Sequence, residues 1–209
     1  MTDLTSAIRA QADAAQYPLD EPECRRILQF LSLLDSWGRR IRLTGDHSPE
    51  QVVCRQLQDA FHLANELSRE APAESIDVGC GAGLPSIPLL ILRPETRLTL
   101  LEPNHRRCAF MRTAIHELGL TATIDSKRLE SHAKDSYQTA WSRATWSPKE
   151  WLERAVSLTI EGGRVLCFTV RPADLPLKTP EGLIFDGETT YHLDEGTPRL
   201  LARYRRIIP

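Results

Sequence analysis

Lysine is scarce in this chain: 4 of its 26 basic residues are lysine and 22 are arginine. A polylysine-type tail and a generic polycation are both excluded, because the net charge is -2 and the sequence pI is near 6.3. Arginine instead offers a planar fork suited to phosphate oxygens and to stacking on bases. No apolar run approaches the ~20 residues that span a bilayer, and Met1 to Arg9 lack the basic-then-apolar order of a signal peptide. A cytoplasmic protein is expected. Cysteine is also sparse and odd in number (Cys24, Cys54, Cys80, Cys108, Cys167), with no CxxC pair, so neither a disulfide framework nor a zinc or other metal site is suggested. What remains is 209 residues with 41% hydrophobic content, enough for one core and too little for two full domains.

The first seventy residues read as helices. Asp20 with Glu23 marks a capped start, after which Cys24, Ile27, Leu28, Leu31, Leu34, Trp37 and Ile41 form one apolar stripe. Ser48-Pro49-Glu50-Gln51 opens a second helix with Val53, Leu57, Phe61, Ala64 and Leu67 on its buried face. After Ala71-Pro72-Ala73, short apolar runs alternate with helical segments. Strands are expected around Ser75–Val78, Arg97–Leu101, Thr121–Asp125, Ala140–Ser142 and Arg164–Val170. Helices fall between them, the last opening at Ser147-Pro148-Lys149-Glu150 and ending at Gly162-Gly163. This alternation predicts a mostly parallel, doubly wound α/β sheet. Leu183–Phe185 and Leu200–Ile207 lack a helical period and suggest a terminal antiparallel hairpin. The expected division is a helical lobe over residues 1–72 packed on an α/β core over 73–209, forming one compact unit.

Ile76-Asp77-Val78-Gly79-Cys80-Gly81-Ala82-Gly83 places three glycines at alternate positions between a strand and a helix, where backbone can approach a ligand closely. Glu102 ends the next strand, positioned to accept both hydroxyls of a ribose. The spacing is GxGxG rather than the GxGxxG of dinucleotide folds, and Pro85 stiffens the start of the helix. Asp77 would repel a pyrophosphate and suit a cationic cofactor bearing ammonium and sulfonium groups, which points to S-adenosylmethionine (SAM).

These segments resemble the bacterial small-subunit ribosomal RNA guanine-N7 methyltransferases, also called glucose-inhibited division protein B, from about Trp37 to Val170. The likeness lies in Asp77 to Pro88, in Leu100-Leu101-Glu102 followed by Arg106-Arg107 and Phe110-Met111-Arg112, in Arg128-Leu129-Glu130, and in Ser142-Arg143-Ala144. Leu43-Thr44 and Arg55 with Asp59 echo N-terminal signatures. The resemblance implies a Rossmann-like class I SAM-dependent methyltransferase fold acting on 16S rRNA or the small ribosomal subunit. It implies that Gly79 and Leu84 line the methionine and ribose side of the cofactor, and Asp77, Gly81 and Gly83 of the same turn are expected to bind it with them. Glu102 would hold the ribose, Leu129 and Glu130 the adenine, and Arg143 would act beside the transferable methyl. No membrane, no metal and no obligatory partner copy are implied; a monomer is expected.

The residue chemistry agrees with N7 as acceptor. Its in-plane lone pair needs no deprotonation, so alignment and electrostatics suffice. After the fourth strand the chain reads Ser142-Arg143-Ala144-Thr145-Trp146, not the Asp/Asn-Pro-Pro-Tyr of amino-directed enzymes, and no Pro-Cys nucleophile is present there. Guanidinium donors of Arg143 suit guanine O6. Candidate RNA contacts are Arg39, Arg40 and Arg42, Arg55, Arg106 with Arg107, and Arg199, Arg203, Arg205 and Arg206, while Trp141, Trp146 and Trp151 are candidates for base stacking.

Several family positions differ. Arg-His-x-x-Asp-Ser appears as Arg55-Gln56-Leu57-Gln58-Asp59-Ala60, Leu-Lys-Gly as Phe168-Thr169-Val170, Pro-Gly-Ile-Pro as Pro85-Ser86-Ile87-Pro88, and the Asn before Leu-Thr is Arg42. Arg171 is a candidate replacement for the missing lysine. The cofactor half is kept and the substrate half eroded. An active rRNA methyltransferase therefore competes with a SAM-binding paralogue that acts on another RNA or a small molecule, or that binds without turnover.

Overall fold

The computed structural model describes residues 3–41, 43, 45, 48–68, 73–132, 136–193 and 196–207. Arg42 and Thr44, two residues singled out above, lie outside the described residues.

Three helices open the chain: α1 (Leu4–Ala14), α2 (Glu21–Gly38) and α3 (Pro49–Leu67). The two expected caps form as capping boxes. Asp20 accepts from the Glu23 N–H while the Glu23 carboxylate accepts from the Asp20 N–H, and Ser48 and Gln51 reciprocate likewise, each with proline in the first turn. The apolar stripe of α2 extends in sequence to Ile41, but the helix ends at Gly38.

The sheet then assembles from β1 (Glu74–Val78), β2 (Arg97–Leu101), β3 (Thr123–Asp125), β4 (Tyr137–Ser142), β5 (Thr159–Thr169), β6 (Leu183–His192) and β7 (Pro198–Arg206). Between them lie α4 (Ser86–Leu92), α5 (His105–Glu117) and α6 (Pro148–Ala155). The spatial order is β3-β2-β1-β4-β5-β7-β6. β1 to β5 pair in parallel, and β7 is antiparallel to both β5 and β6, so the mostly parallel sheet and its terminal hairpin are both present. Chain direction across the sheet reverses between β1 and β4. In open α/β sheets the crevice at that switch point, outside the carboxyl ends of the strands, is where ligands bind.

One expectation is corrected. Gly162-Gly163 do not end α6, which stops at Ala155; they lie inside β5. Pairing with β4 shifts register between Tyr137 and Thr139, and Gly162 has φ +72°. At Gly163 a Cβ would stand 2.8 Å from the Ile160 carbonyl oxygen, so the glycine pair marks an irregularity in a strand.

The two sheet faces carry separate apolar clusters. One unites α1, α2 and α3 with α4 and α5 around Phe30, Phe61, Phe110 and Trp141. The other packs α6 through Trp151 and Leu152 against Ile76, Val165 and Tyr204. The N-terminal helices thus share a core with helices of the α/β part. No helix among the described residues is long and apolar enough to cross a membrane.

Candidate active site

A cleft of about 1130 Å³ opens at the carboxyl ends of β1, β2, β4 and β5, closed on one side by α3 and on another by Leu193, Thr197 and Arg199. Its floor is the glycine turn. All three glycines have positive φ, from 60° to 75°, a region that non-glycine residues seldom occupy. They do different work. A Cβ on Gly79 would stand 2.3 Å from Thr145 Oγ1, so this glycine lets the loops after β1 and β4 meet. A Cβ on Gly83 would stand 2.5 Å from Ile87 Cδ1, so this one lets α4 close on the turn. A Cβ on Gly81 would meet nothing within 4 Å, and Gly81 lines the cleft.

Glu102 holds the turn in place: the Gly81 N–H donates to its Oε2 and the Asn104 N–H to its Oε1, each at 2.9 Å. Arg107 Nη1 lies 3.6 Å from the same carboxylate. Gly79, Gly81, Leu84, Glu102 and Arg143 all line the cleft.

Arg143 follows β4 and is bound by α3. Its Nη1 donates to Asp59 Oδ2 at 2.8 Å and its Nη2 to Gln56 Oε1 at 2.6 Å. Gln56 and Asp59 are three residues apart on one helix, hence on one face. Asp59 is buried, and its Oδ1 accepts from the Tyr191 hydroxyl at 2.5 Å. The next residue, Ala144, takes φ 57°, a left-handed conformation unusual for a residue with a Cβ.

Asp77 lies outside the cleft lining: it is 1% exposed and points inward, where Ser86 Oγ donates to Oδ2 at 2.5 Å and Oδ1 has no hydrogen-bond partner among the described residues. Burial raises its pKa to about 7 against the opposing effects of Ser86, Arg143 and Trp141, so at neutral pH it is no reliable anion. Gly83 and the pair Leu129 and Glu130 lie outside the cleft lining. Leu129 packs under the second apolar cluster and Glu130 faces Arg154 of α6 at 3.7 Å.

Of the arginines offered for RNA, Arg55, Arg107 and Arg199 line the cleft. Arg39 pairs with Asp35 one turn back on α2, and Arg40 and Arg106 also lie away from the cleft. Arg203 is tied to Glu66 and Arg205 to Asp186. Arg171 does not replace the missing lysine, since it turns to Asp174 at 3.0 Å and leaves the cleft to Thr169. Trp141 is buried with its N–H on Ser86, and Trp151 is buried with its N–H on the Leu166 carbonyl. Trp146 alone of the three lines the cleft, stacked near Trp151 with the Arg154 guanidinium 5.3 Å from its ring centre. Sequence reasoning missed Tyr191, which has no motif around it and reaches the site only through tertiary folding.

The family model for rRNA small subunit methyltransferase G matches residues 23–183. The protein of that name from Chromohalobacter salexigens is 32% identical over 210 residues, covering 97% of this chain and 100% of that protein. The one from Serratia proteamaculans is 33% identical, covering 81% and 83% respectively. Among solved structures, TrmN from Thermus thermophilus superposes with a TM-score of 0.58 at 15% identity, over 99% of this chain and 79% of that one. The tRNA (m1A58) methyltransferase TrmI from Aquifex aeolicus gives 0.57 at 14%, over 72% and 69%. At such identities the likeness is one of fold, the Rossmann-like methyltransferase fold. On the extent of the sequence match, the chain belongs to the rRNA small subunit methyltransferase G family.

Proposed function

We propose that this chain transfers a methyl group from SAM to N7 of a guanine in 16S rRNA, with the small ribosomal subunit or its RNA as substrate and the cytoplasm as its place of work. Family membership supports the reaction class. The observation that carries the acceptor is that the described lining residues of the cleft offer no free base. Among its described lining residues there is no histidine or lysine, and the only carboxylates are Asp59 and Glu102. Asp59 is held by Arg143 and Tyr191, and Glu102 by two backbone N–H groups. An acceptor that must lose a proton before attack needs a positioned base, whereas N7 attacks with a lone pair already in the ring plane.

The residues fit the cofactor. The open space above Gly81 leaves room for a ligand against the backbone, and the rim carries the Glu102 carboxylate where ribose hydroxyls would donate. When bound, SAM supplies an electrophilic methyl on a sulfonium. The protein then has to bind, orient and exclude water. Glu102 and the glycine turn would fix the nucleoside, while Arg143, with two of its five N–H donors spent on α3, directs the others toward guanine O6. Arg55, Arg107 and Arg199 would meet RNA phosphates around the opening. Residues 1–72 and 73–209 would act as one unit and a single copy would suffice, since α3 supplies the groups that hold Arg143.

A second reading, a paralogue with another substrate, is favoured by Gln56 and Thr169 standing where the family has histidine and lysine. Incubation with methyl-labelled SAM and 30S particles from a strain lacking the modification, followed by borohydride and aniline cleavage, separates the two. Cleavage at one guanine is expected; SAM binding by calorimetry with no labelled RNA would falsify the first reading and favour the second.

A further inference from the structure

We infer that Tyr191, on the C-terminal hairpin, is a positioning residue for Arg143 and acts through the buried Asp59 carboxylate. The inference rests on the reading of Arg143 as the residue beside the transferred methyl.

β6 is an edge strand, three places from β4 in the sheet, yet its Tyr191 reaches α3. There the two oxygens of Asp59 are divided between two donors: Tyr191 OH on Oδ1 at 2.5 Å and Arg143 Nη1 on Oδ2 at 2.8 Å. Asp59 is 1% exposed and Tyr191 6%, so water is not at hand to replace either donor. The tyrosine ring is fixed from its other side by His62, stacked at 3.9 Å. Burial, reinforced by the Asp59 charge, pushes the Tyr191 hydroxyl well above the ordinary tyrosine range, so it remains a donor throughout the working pH range.

The consequence follows from the geometry of a carboxylate. With the Tyr191 hydroxyl holding Oδ1, the guanidinium meets the carboxylate at Oδ2, and the second donor of the fork goes to Gln56. Without the hydroxyl, Oδ1 is a dry, unpartnered acceptor, and the remedy within reach is rotation of the carboxylate to take the fork with both oxygens. That bidentate grip draws the guanidinium toward α3 and off the cleft. Displacement of a reacting-site group by about 1 Å costs up to about 100-fold in rate.

The test uses the full chain with 30S particles and SAM. Tyr191→Phe keeps the ring and its stacking and deletes only the hydroxyl. Expected is a fall in kcat of about 10- to 100-fold, with the SAM dissociation constant within twofold of wild type and one SAM bound per chain. Asp59→Asn should also lower kcat, and adding Tyr191→Phe to it should lower kcat no further. Wild-type kcat in Tyr191→Phe, a multiplicative loss in the double variant, or a fall in bound SAM per chain that matches the fall in kcat would overturn the inference. If Tyr191→Phe does not fold, Asp59→Asn carries the test alone, and an unchanged kcat there is equally fatal. Arg143→Ala separates the two levels. Turnover surviving in Arg143→Ala removes the reading of Arg143 and this inference with it. An inactive Arg143→Ala beside a fully active Tyr191→Phe removes this inference only.

Discussion

The Gly81 N–H donates to the Glu102 carboxylate at 2.9 Å across the gap between the first two parallel strands. The acid expected to bind a ribose therefore also holds the glycine turn in its shape, with the Asn104 N–H on its other oxygen. Glu102→Gln replaces one acceptor oxygen by an amide NH2 that must face a backbone N–H, donor against donor. The turn then loses one of its two ties. SAM affinity measured by calorimetry should fall about 10- to 100-fold, with kcat at saturating cofactor much less affected. Unaltered affinity would show that Glu102 is neither latch nor ligand.

The three glycines should separate folding from binding. Gly79→Ala drives a methyl into Thr145 and also strains a positive φ, so a loss of stability of about 1–3 kcal/mol is expected in urea titration. Thr145→Ala in the same chain should restore part of it, because the 2.3 and 2.7 Å contacts are to the Oγ1 and Cγ2 atoms that alanine lacks. Gly81→Ala meets no neighbour and should cost about 1 kcal/mol from backbone strain alone, while its methyl takes up room beside the cleft and weakens SAM binding. If Gly81→Ala binds SAM as wild type does, the turn is not the cofactor's floor.

The fold was legible in the sequence because its signals are local. Capping pairs such as Ser48 with Gln51 and apolar runs such as Arg97–Leu101 declare elements within a few residues, and their alternation dictates a parallel sheet. Misreadings arose where a local sign had two meanings. Gly162-Gly163 look the same at a helix end and in an irregular strand, and only the register with β4 decides between them. Asp77 looks like a ligand-facing acid from its place before the turn, yet the last residues of a strand alternate in direction and this one faces Ser86 under α4. The cleft's glycines, Glu102 and Arg143 were legible as strand-end residues. Their partners were not, since Asp59 lies 84 residues before Arg143 and Tyr191 lies 132 after Asp59.

Asp77 gives stability a pH signature. Burial holds its folded pKa at about 7, above the ordinary aspartate value of 3.8. Between those values the folded chain keeps a proton that the unfolded chain has lost, so this group's contribution is fully present below pH 4 and is lost as pH rises through 7. Asp77→Asn removes the titration. Its stability relative to wild type should therefore improve from pH 4.5 to pH 7.5, at up to about 1.4 kcal/mol per pH unit within the window. Urea titrations of both proteins at several pH values measure this directly; parallel profiles would mean that Asp77 stays ionised in the fold.

Glu66 ties α3 to the far half of the sheet. Its carboxylate lies 3.3 Å from Arg164 Nη1 on β5 and 3.4 Å from Arg203 Nη1 on β7, all largely buried. Removing the acid leaves two guanidinium groups without it in a place with little water. Glu66→Ala should cost about 3–5 kcal/mol of stability, and Arg164→Met in the same chain should return part of that. A loss under 1 kcal/mol would show that water enters the site and screens it.

Arg199 is the cleft arginine best suited to show how a chain of net charge -2 holds RNA. It lines the opening from β7, contributes to the field at Tyr191, and makes no ion pair among the described residues. Arg107, by contrast, lies beside the Glu102 carboxylate, and Arg143 is bound to Asp59. A guanidinium that contacts one phosphate releases about one counterion when RNA binds, so its removal should weaken binding whatever the sequence and flatten the salt dependence. Arg199→Ala is therefore expected to raise KM for 30S particles several-fold at 150 mM salt and to reduce the slope of log affinity against log salt by about one. The dissociation constant for SAM should not move. A normal slope would assign phosphate contact elsewhere on the rim, and a change in SAM affinity would place Arg199 against the cofactor instead of the RNA.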